Sequence, residues 1–235
     1  DKIDYDMWPG PAPKTELMRR QLHYDWHWVF DTGNGDVGNQ GIHQMDLARW
    51  ALGQDRLPKH TLSIGGRVGY DDDGNTPNTQ IVFHEFEDGP PLLFEVRGLP
   101  RDLAAQKKGW GRSMDNYQGA RIGVIVHCKN GYLRIPDYNR AIAVDKDGKE
   151  IKRFEGSTNH YENFVAAVRS RMAEDLHADI RQGHLSSAMC HMGNVSHLQG
   201  KTHSKEELDT MAGRNRFTAE AWQRMHTHLV KNGVD

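Results

Sequence analysis

Asp31 to Gly38 reads D-T-G-N-G-D-V-G, and Gly33, Gly35 and Gly38 within it have the spacing G-x-G-x-x-G. Whether this loop cradles a phosphate decides the fold class. A dinucleotide loop needs a buried parallel strand before it, a helix opening at its last glycine, and an acidic residue about 20 positions on. The preceding H-Y-D-W-H-W-V-F-D-T carries Asp25, His27 and Asp31, where a strand covered on both faces is near-continuously Val, Ile or Leu. Downstream a helix is expected, because Ile42, Met45, Leu47 and Trp50 with Ala48 and Ala51 form an apolar face that Gly53 ends. The acidic candidate, Asp55, sits in the turn-like G-Q-D-R-L-P. Half of the required context is missing, so the loop is read as something other than a phosphate cradle.

Beyond that helix the pattern changes to short β-rich runs: T-L-S-I-G-G-R-V-G, Q-I-V-F-H-E-F, P-L-L-F-E-V-R-G, R-I-G-V-I-V-H-C, G-Y-L-R-I and R-A-I-A-V-D. Between them lie D-D-D-G-N, E-D-G-P-P, K-N-G and D-K-D-G, which are hairpin and turn chemistries. Consecutive strands with tight turns pair antiparallel; a polar loop at Lys107 to Gln118 interrupts them. From Thr158 the period lengthens, and Tyr161, Phe164, Val165 and Val168 share one helical face. G-H-L-S-S-A-M-C-H-M-G-N-V-S-H-L and F-T-A-E-A-W-Q-R-M-H-T-H-L-V supply two more helices. The expected fold is α+β, a large open, mainly antiparallel sheet with helices packed on one face.

At 235 residues and 37% hydrophobic content, the chain can bury a real core, and one domain over 1–235 is expected. Residues 1–20, with Y-D-M-W-P-G-P-A-P, read as a linker-like approach. Thirty Lys and Arg against 32 Asp and Glu leave a net charge of −2, which offers no electrostatic argument for nucleic acid or an anionic membrane. No apolar run approaches bilayer length and the N-terminus lacks a signal-peptide layout, so a soluble chain is expected, with its compartment open. Cys128 and Cys190 form no disulfide framework, although one bridge stays possible.

Asn39, His43 and Asp46 fall near the start of the expected helix, with His43 and Asp46 three apart and so on one face. The positive end of a helix dipole disfavours imidazolium, and neutral imidazole is what a general base needs. The alternative is a capping Asn39 beside a packed histidine. Trp26, His27 and Trp28 read either as a sugar-stacking wall or as core on one face of a strand. Trp110 and Arg112 lie in the polar loop and are candidates for covering a substrate. His184 and His191, and His23 with His27, have helical spacings, but no set of ligands completes a metal site, and none is expected.

The run N-Q-G-I-H-Q-M-D-L-A-R-W resembles the D-x-G-x-H-x-x-D-x-x-R-W signature of the Gfo/Idh/MocA family of NAD(P)-dependent oxidoreductases. Its flanks, Y-D-M-W-P-G-P-A-P, H-Y-D-W-H-W-V-F-D-T-G-N-G-D-V-G and G-H-L-S-S-A-M-C-H-M-G-N-V-S, look like one branch of it, so the resemblance covers the whole chain. It implies a two-domain enzyme in which this chain is the second, α+β domain. NAD or NADP would be bound mainly by an N-terminal Rossmann domain absent here, with only Gly38 and Asn39 near the nicotinamide. By resemblance His43 is the catalytic histidine, Asn39 stands where many members carry Asp and would only orient substrate or His43, and the sheet builds a homo-oligomer interface. Asp46 and Arg49 match the motif, Asp46 as a substrate candidate, although a hydrogen-bonded Asp and an ion-paired Arg are the plainer jobs. The implied substrate is a sugar, glycoside or cyclitol hydroxyl. NAD-assisted glycoside cleavage, and a noncatalytic sugar-binding or self-associating module, are the alternatives.

Overall fold

The computed structural model describes residues 3–17, 20–69, 71–109 and 113–234. The first part is helical: α1 (Leu22–Asp25), α2 (Gly35–Gly38) and α3 (Gly41–Leu52). Strands β1 (His60–Gly66), β2 (Thr79–Glu85) and β3 (Leu92–Arg97) follow, then α4 (Leu103–Lys108). A second set comprises β4 (Val124–Cys128), β5 (Gly131–Asp137), β6 (Arg140–Asp145) and β7 (Glu150–Glu155). The chain finishes with α5 (His160–Ser170), α6 (Ile180–Leu198), α7 (Lys205–Ala212) and α8 (Arg216–Lys231).

All strand pairs are antiparallel, as the hairpin chemistry predicts, but they form two sheets rather than one large one, with orders β1-β2-β3 and β4-β5-β6-β7. The segment between β3 and β4 accounts for the division. Asp102 caps α4 by accepting from the Ala105 N–H at 2.7 Å, and isolated bridges Pro100–Met114 and Tyr117–Ala120 fold the rest back on itself.

Helices also cover both faces of the first sheet, correcting the expectation of one. Ile64 and Ile81, with Leu62 and Leu93, pack against Ala212, Ala221, Trp222 and Met225 of α7 and α8. On the other face, Leu92 and Phe94 meet Met45 of α3 and Met189 and Cys190 of α6, while Val82 and Val96 meet Val37 of α2. The cause is legible in β2, where Ile81, Val82 and Phe83 are apolar at both parities and six of seven residues are buried. A strand without alternation requires cover on both sides.

α3 ends as its pattern predicts: Gly53 takes the left-handed conformation, φ +64°, and its N–H reaches the carbonyls of Arg49 and Trp50. α5 differs. The face carrying Tyr161, Phe164, Val165 and Val168 is exposed, Tyr161 by 72% and Phe164 by 61%, because the helix rests on its polar side, where Asn163 bonds the Asp175 carbonyl and the His177 N–H. Amphipathic spacing shows that a face seeks cover without showing what covers it. β7 and the capping-box helix α7, in which Ser204 and Glu207 bond each other's backbone N–H, are additional elements. Both cysteines are free; burial pushes the Cys190 thiol up to about 12.

His84 of β2 lies beneath α6, fully buried, with Nδ1 2.9 Å from the Thr61 hydroxyl. Burial pushes its imidazole down to about 4 from an ordinary 6.5. The unfolded chain therefore takes up the proton first as pH falls, and stability present above pH 6.5 is lost between there and pH 4. The expected loss is about 3 kcal/mol, at about 1.4 kcal/mol per pH unit of displacement. Urea titrations at pH 7 and pH 4.5 check it: a fall that is identical in His84→Gln would assign the pH dependence to other groups.

Candidate functional site

The glycines of the opening loop are spent on packing within the chain. A Cβ on Gly33 would lie 2.5 Å from the His27 carbonyl oxygen, one on Gly35 2.7 Å from the Thr76 Cβ, and one on Gly38 2.2 Å from the Asn34 Cβ. Among the described residues no strand precedes them, and α2 is a single turn of four residues, so this loop is not a phosphate cradle. What it does instead is deliver the chain to α3. The Asn39 N–H closes α2 on the Gly35 carbonyl at 2.9 Å, the backbone turns, and Gln40 becomes the N-cap residue of α3. Asn39 therefore does not cap the helix, and its side chain makes no hydrogen bond among the described residues.

Gly41 presses α3 onto the sheet, with Phe94 too close to admit a Cβ. His43, two residues later in the first turn, consequently points away from the core and is exposed. Its ring meets Tyr138, from the β5–β6 turn, at a centroid separation of 5.4 Å and an interplanar angle of 59°. Gln40 donates to the Tyr138 hydroxyl at 2.9 Å and to Gln44 at 3.2 Å. Neither Tyr138 nor Gln40 stands out in the sequence, since they are 98 positions apart.

Asp36 was likewise not signalled. It sits half-buried in α2, accepts from the Trp28 indole N–H at 3.2 Å, and burial pushes its carboxyl up against the opposing effects of that bond and of the Arg67 and His27 charges. An acidic residue inside a glycine-rich run beside a tryptophan pair is the signal that was available.

Trp26, His27 and Trp28 form a 3-10 turn, not a strand. His27 stacks on Trp26 at 3.8 Å and faces Tyr24 and Trp28 at 5.0 and 5.6 Å, so the group is a half-buried aromatic cluster. Trp26 also lines an open cleft of about 570 Å³ with Trp8, Pro9, Asp31 and Thr32. Asp46 turns toward α6: its Oδ1 accepts from the Ser186 hydroxyl at 2.6 Å and from Arg49 at 3.2 Å. This engagement gives it a structural task. Trp110 and Arg112 lie outside the described residues. His184 and His191 line a groove of about 700 Å³ along α6, and no group of three or more potential metal ligands comes together among the described residues.

The fold puts the chain in the class of antiparallel α+β domains, and the spent glycines take Asp31 to Gly38 out of the class of phosphate loops. The particular family follows from sequence comparison: residues 1–220 match the oxidoreductase family, C-terminal alpha/beta domain, and the chain belongs to that family, the Gfo/Idh/MocA oxidoreductases. No curated protein matches the sequence. Among solved structures, the WlbA dehydrogenase from Bordetella pertussis, in complex with NADH and UDP-GlcNAcA, is similar at 15% identity and TM-score 0.50, over 78% of this chain and 50% of that one. An oxidoreductase from Thermotoga maritima is similar at 12% identity and TM-score 0.47, over 76% of this chain and 48% of that one. The chain thus spans about half the length of these structures. No helix among the described residues is long and apolar enough to cross a membrane.

Proposed function

We propose that this chain forms one substrate-side domain of an NAD(P)-dependent oxidoreductase acting on a sugar, glycoside or cyclitol hydroxyl, with His43 as the proton acceptor. The observation that carries this reading is the exposed His43 in the first turn of a helix pinned to the sheet, its ring against Tyr138. A general base has to be accessible, within hydrogen-bond reach of the hydroxyl, and held at a defined angle. The nicotinamide, when bound, accepts hydride from the carbinol carbon; this chain's residues receive the hydroxyl proton and orient the ring. Asn39, at the corner between α2 and α3, is the neighbouring polar group, and the Gly38–Asn39 backbone is the part of this chain proposed to lie near the nicotinamide. The dinucleotide's phosphates are assigned to a separate domain, since the glycines of Asp31 to Gly38 pack against His27, Thr76 and Asn34 of this chain and open only a four-residue helix.

The carbohydrate class is supported by the cleft with Trp8 and Trp26 as apolar platforms and Asp31 and Thr32 as hydroxyl partners, and by the UDP-GlcNAcA in the similar WlbA structure. Self-association belongs to the same reading, with the second sheet, whose β7 is exposed throughout, as the surface.

The test uses the protein together with its cofactor-binding half, supplied with NAD⁺ or NADP⁺ and with D-glucose, myo-inositol or UDP-GlcNAcA in turn. Reduced nicotinamide is the expected product. Release of an aglycone from a glycoside without net cofactor reduction would establish the cleavage reaction instead, and sugar binding without turnover would establish a noncatalytic module. Calorimetric titration of the 235-residue chain with either dinucleotide is expected to show no binding.

A further inference from the structure

We propose that Tyr138 is a positioning residue for His43, holding the imidazole at the angle at which it takes the substrate proton; this rests on the reading of His43 above. Tyr138 is 59% exposed, so its burial does little for the core, yet three separate devices fix where it stands. β5 pairs with β6 in register up to Arg134–Ile142, shifts between Arg134 and Asp137, and carries Pro136, which has no N–H for the ladder. Such an irregularity bends a strand and re-aims the residues that follow it.

The turn itself is then clamped. Asp137 accepts from the Asn139 N–H at 3.0 Å and from Arg140 at 2.7 Å, and the Asn139 carbonyl accepts from the Gly156 N–H at 3.0 Å. Those two interactions of Asp137, the Asn139 N–H first, hold its carboxyl below the ordinary range. From this braced turn the Tyr138 ring reaches α3, where its hydroxyl is held by Gln40 and its face is tilted against His43. An exposed histidine in the first turn of a helix otherwise has several rotamers open to it, and the tilted aromatic contact restricts them.

Turnover of the sugar that reacts in the panel above provides the test. Tyr138→Ala is expected to lower kcat on the order of 10-fold by loosening the base, with KM and the thermal midpoint little changed. Tyr138→Phe keeps the ring and restores most of kcat. In a His43→Ala background Tyr138→Ala has no further effect, because a residue acting through another is silent once that other is gone. Independently of activity, the His43 ring-proton resonances of the 235-residue chain shift in Tyr138→Ala and stay in place in Tyr138→Phe. Full kcat in Tyr138→Ala, or an additive loss in the double variant, overturns the positioning role while leaving the reading of His43 standing. A His43→Ala protein with full kcat, or a panel in which no sugar reacts, overturns that reading and this role with it.

Discussion

Replacing His43 with alanine, in the protein joined to the cofactor-binding domain proposed above, is expected to lower kcat by about 10²- to 10⁴-fold, the range that general acid–base catalysis supplies. The fold should be indifferent to the change. His43 is exposed, makes no hydrogen bond through its side chain among the described residues, and touches Tyr138 only through its ring. Thermal unfolding of the variant therefore reports an unchanged midpoint while turnover collapses, which separates loss of the base from loss of structure. Retention of kcat to within a few-fold would remove His43 from the chemistry and leave Asp36, the displaced carboxyl of α2, as the next group to replace.

The second large effect is on stability. Arg49 is only 2% exposed, a charge placed between α3 and α6. Its Nε donates to the Ser186 hydroxyl at 3.0 Å, Nη1 to the Gln54 carbonyl at 2.8 Å, and Nη2 to Gln182 at 2.7 Å and Asp46 at 3.2 Å. Ser186 closes the circuit on Asp46. Arg49→Met keeps much of the volume but removes the donor from four acceptors at once, Asp46 among them with a third of its side chain exposed, and losing the charged donor of this largely buried network costs about 3 kcal/mol. Urea denaturation should show a lower midpoint at unchanged slope. A loss under about 1 kcal/mol, the size of an ordinary surface change, would mean that water or Ser186 alone satisfies the carboxylate. Because α3 is registered on α6 through this network, the variant should also lose turnover, through a displaced His43 rather than a missing one.

Arg49 and Asp46 show how far local sequence reaches. The sequence suggests a hydrogen-bonded Asp46 and an ion-paired Arg49 without naming their partners, and the structure pairs the two with each other at 3.2 Å. That Arg49 is also the junction of two helices, through Ser186 and Gln182 more than 130 positions away, is invisible to any window along the chain. The same division runs through the site. The place of His43 in the first turn of α3 is legible because the helix period and the glycine stop at Gly53 mark out that helix. Tyr138 and Gln40 are not, because their meeting depends on an irregularity in β5 and on how a second sheet is laid against α3.

The amino-acid sequence by itself determined the antiparallel α+β class, the length and ending of α3, the six strands bounded by turn chemistry, and the failure of D-T-G-N-G-D-V-G as a phosphate loop. These are properties of local period and backbone preference, which act over a few residues. Only the tertiary structure decided that the strands split into two sheets, that helices cover both faces of the first, that the apolar side of α5 stays uncovered by the described residues, and that a hairpin tip from the second sheet meets the first turn of α3. Each of these depends on which of several apolar surfaces finds which partner. Burial energy is non-directional, so that choice is set by the shape of the whole chain and not by any one segment of it.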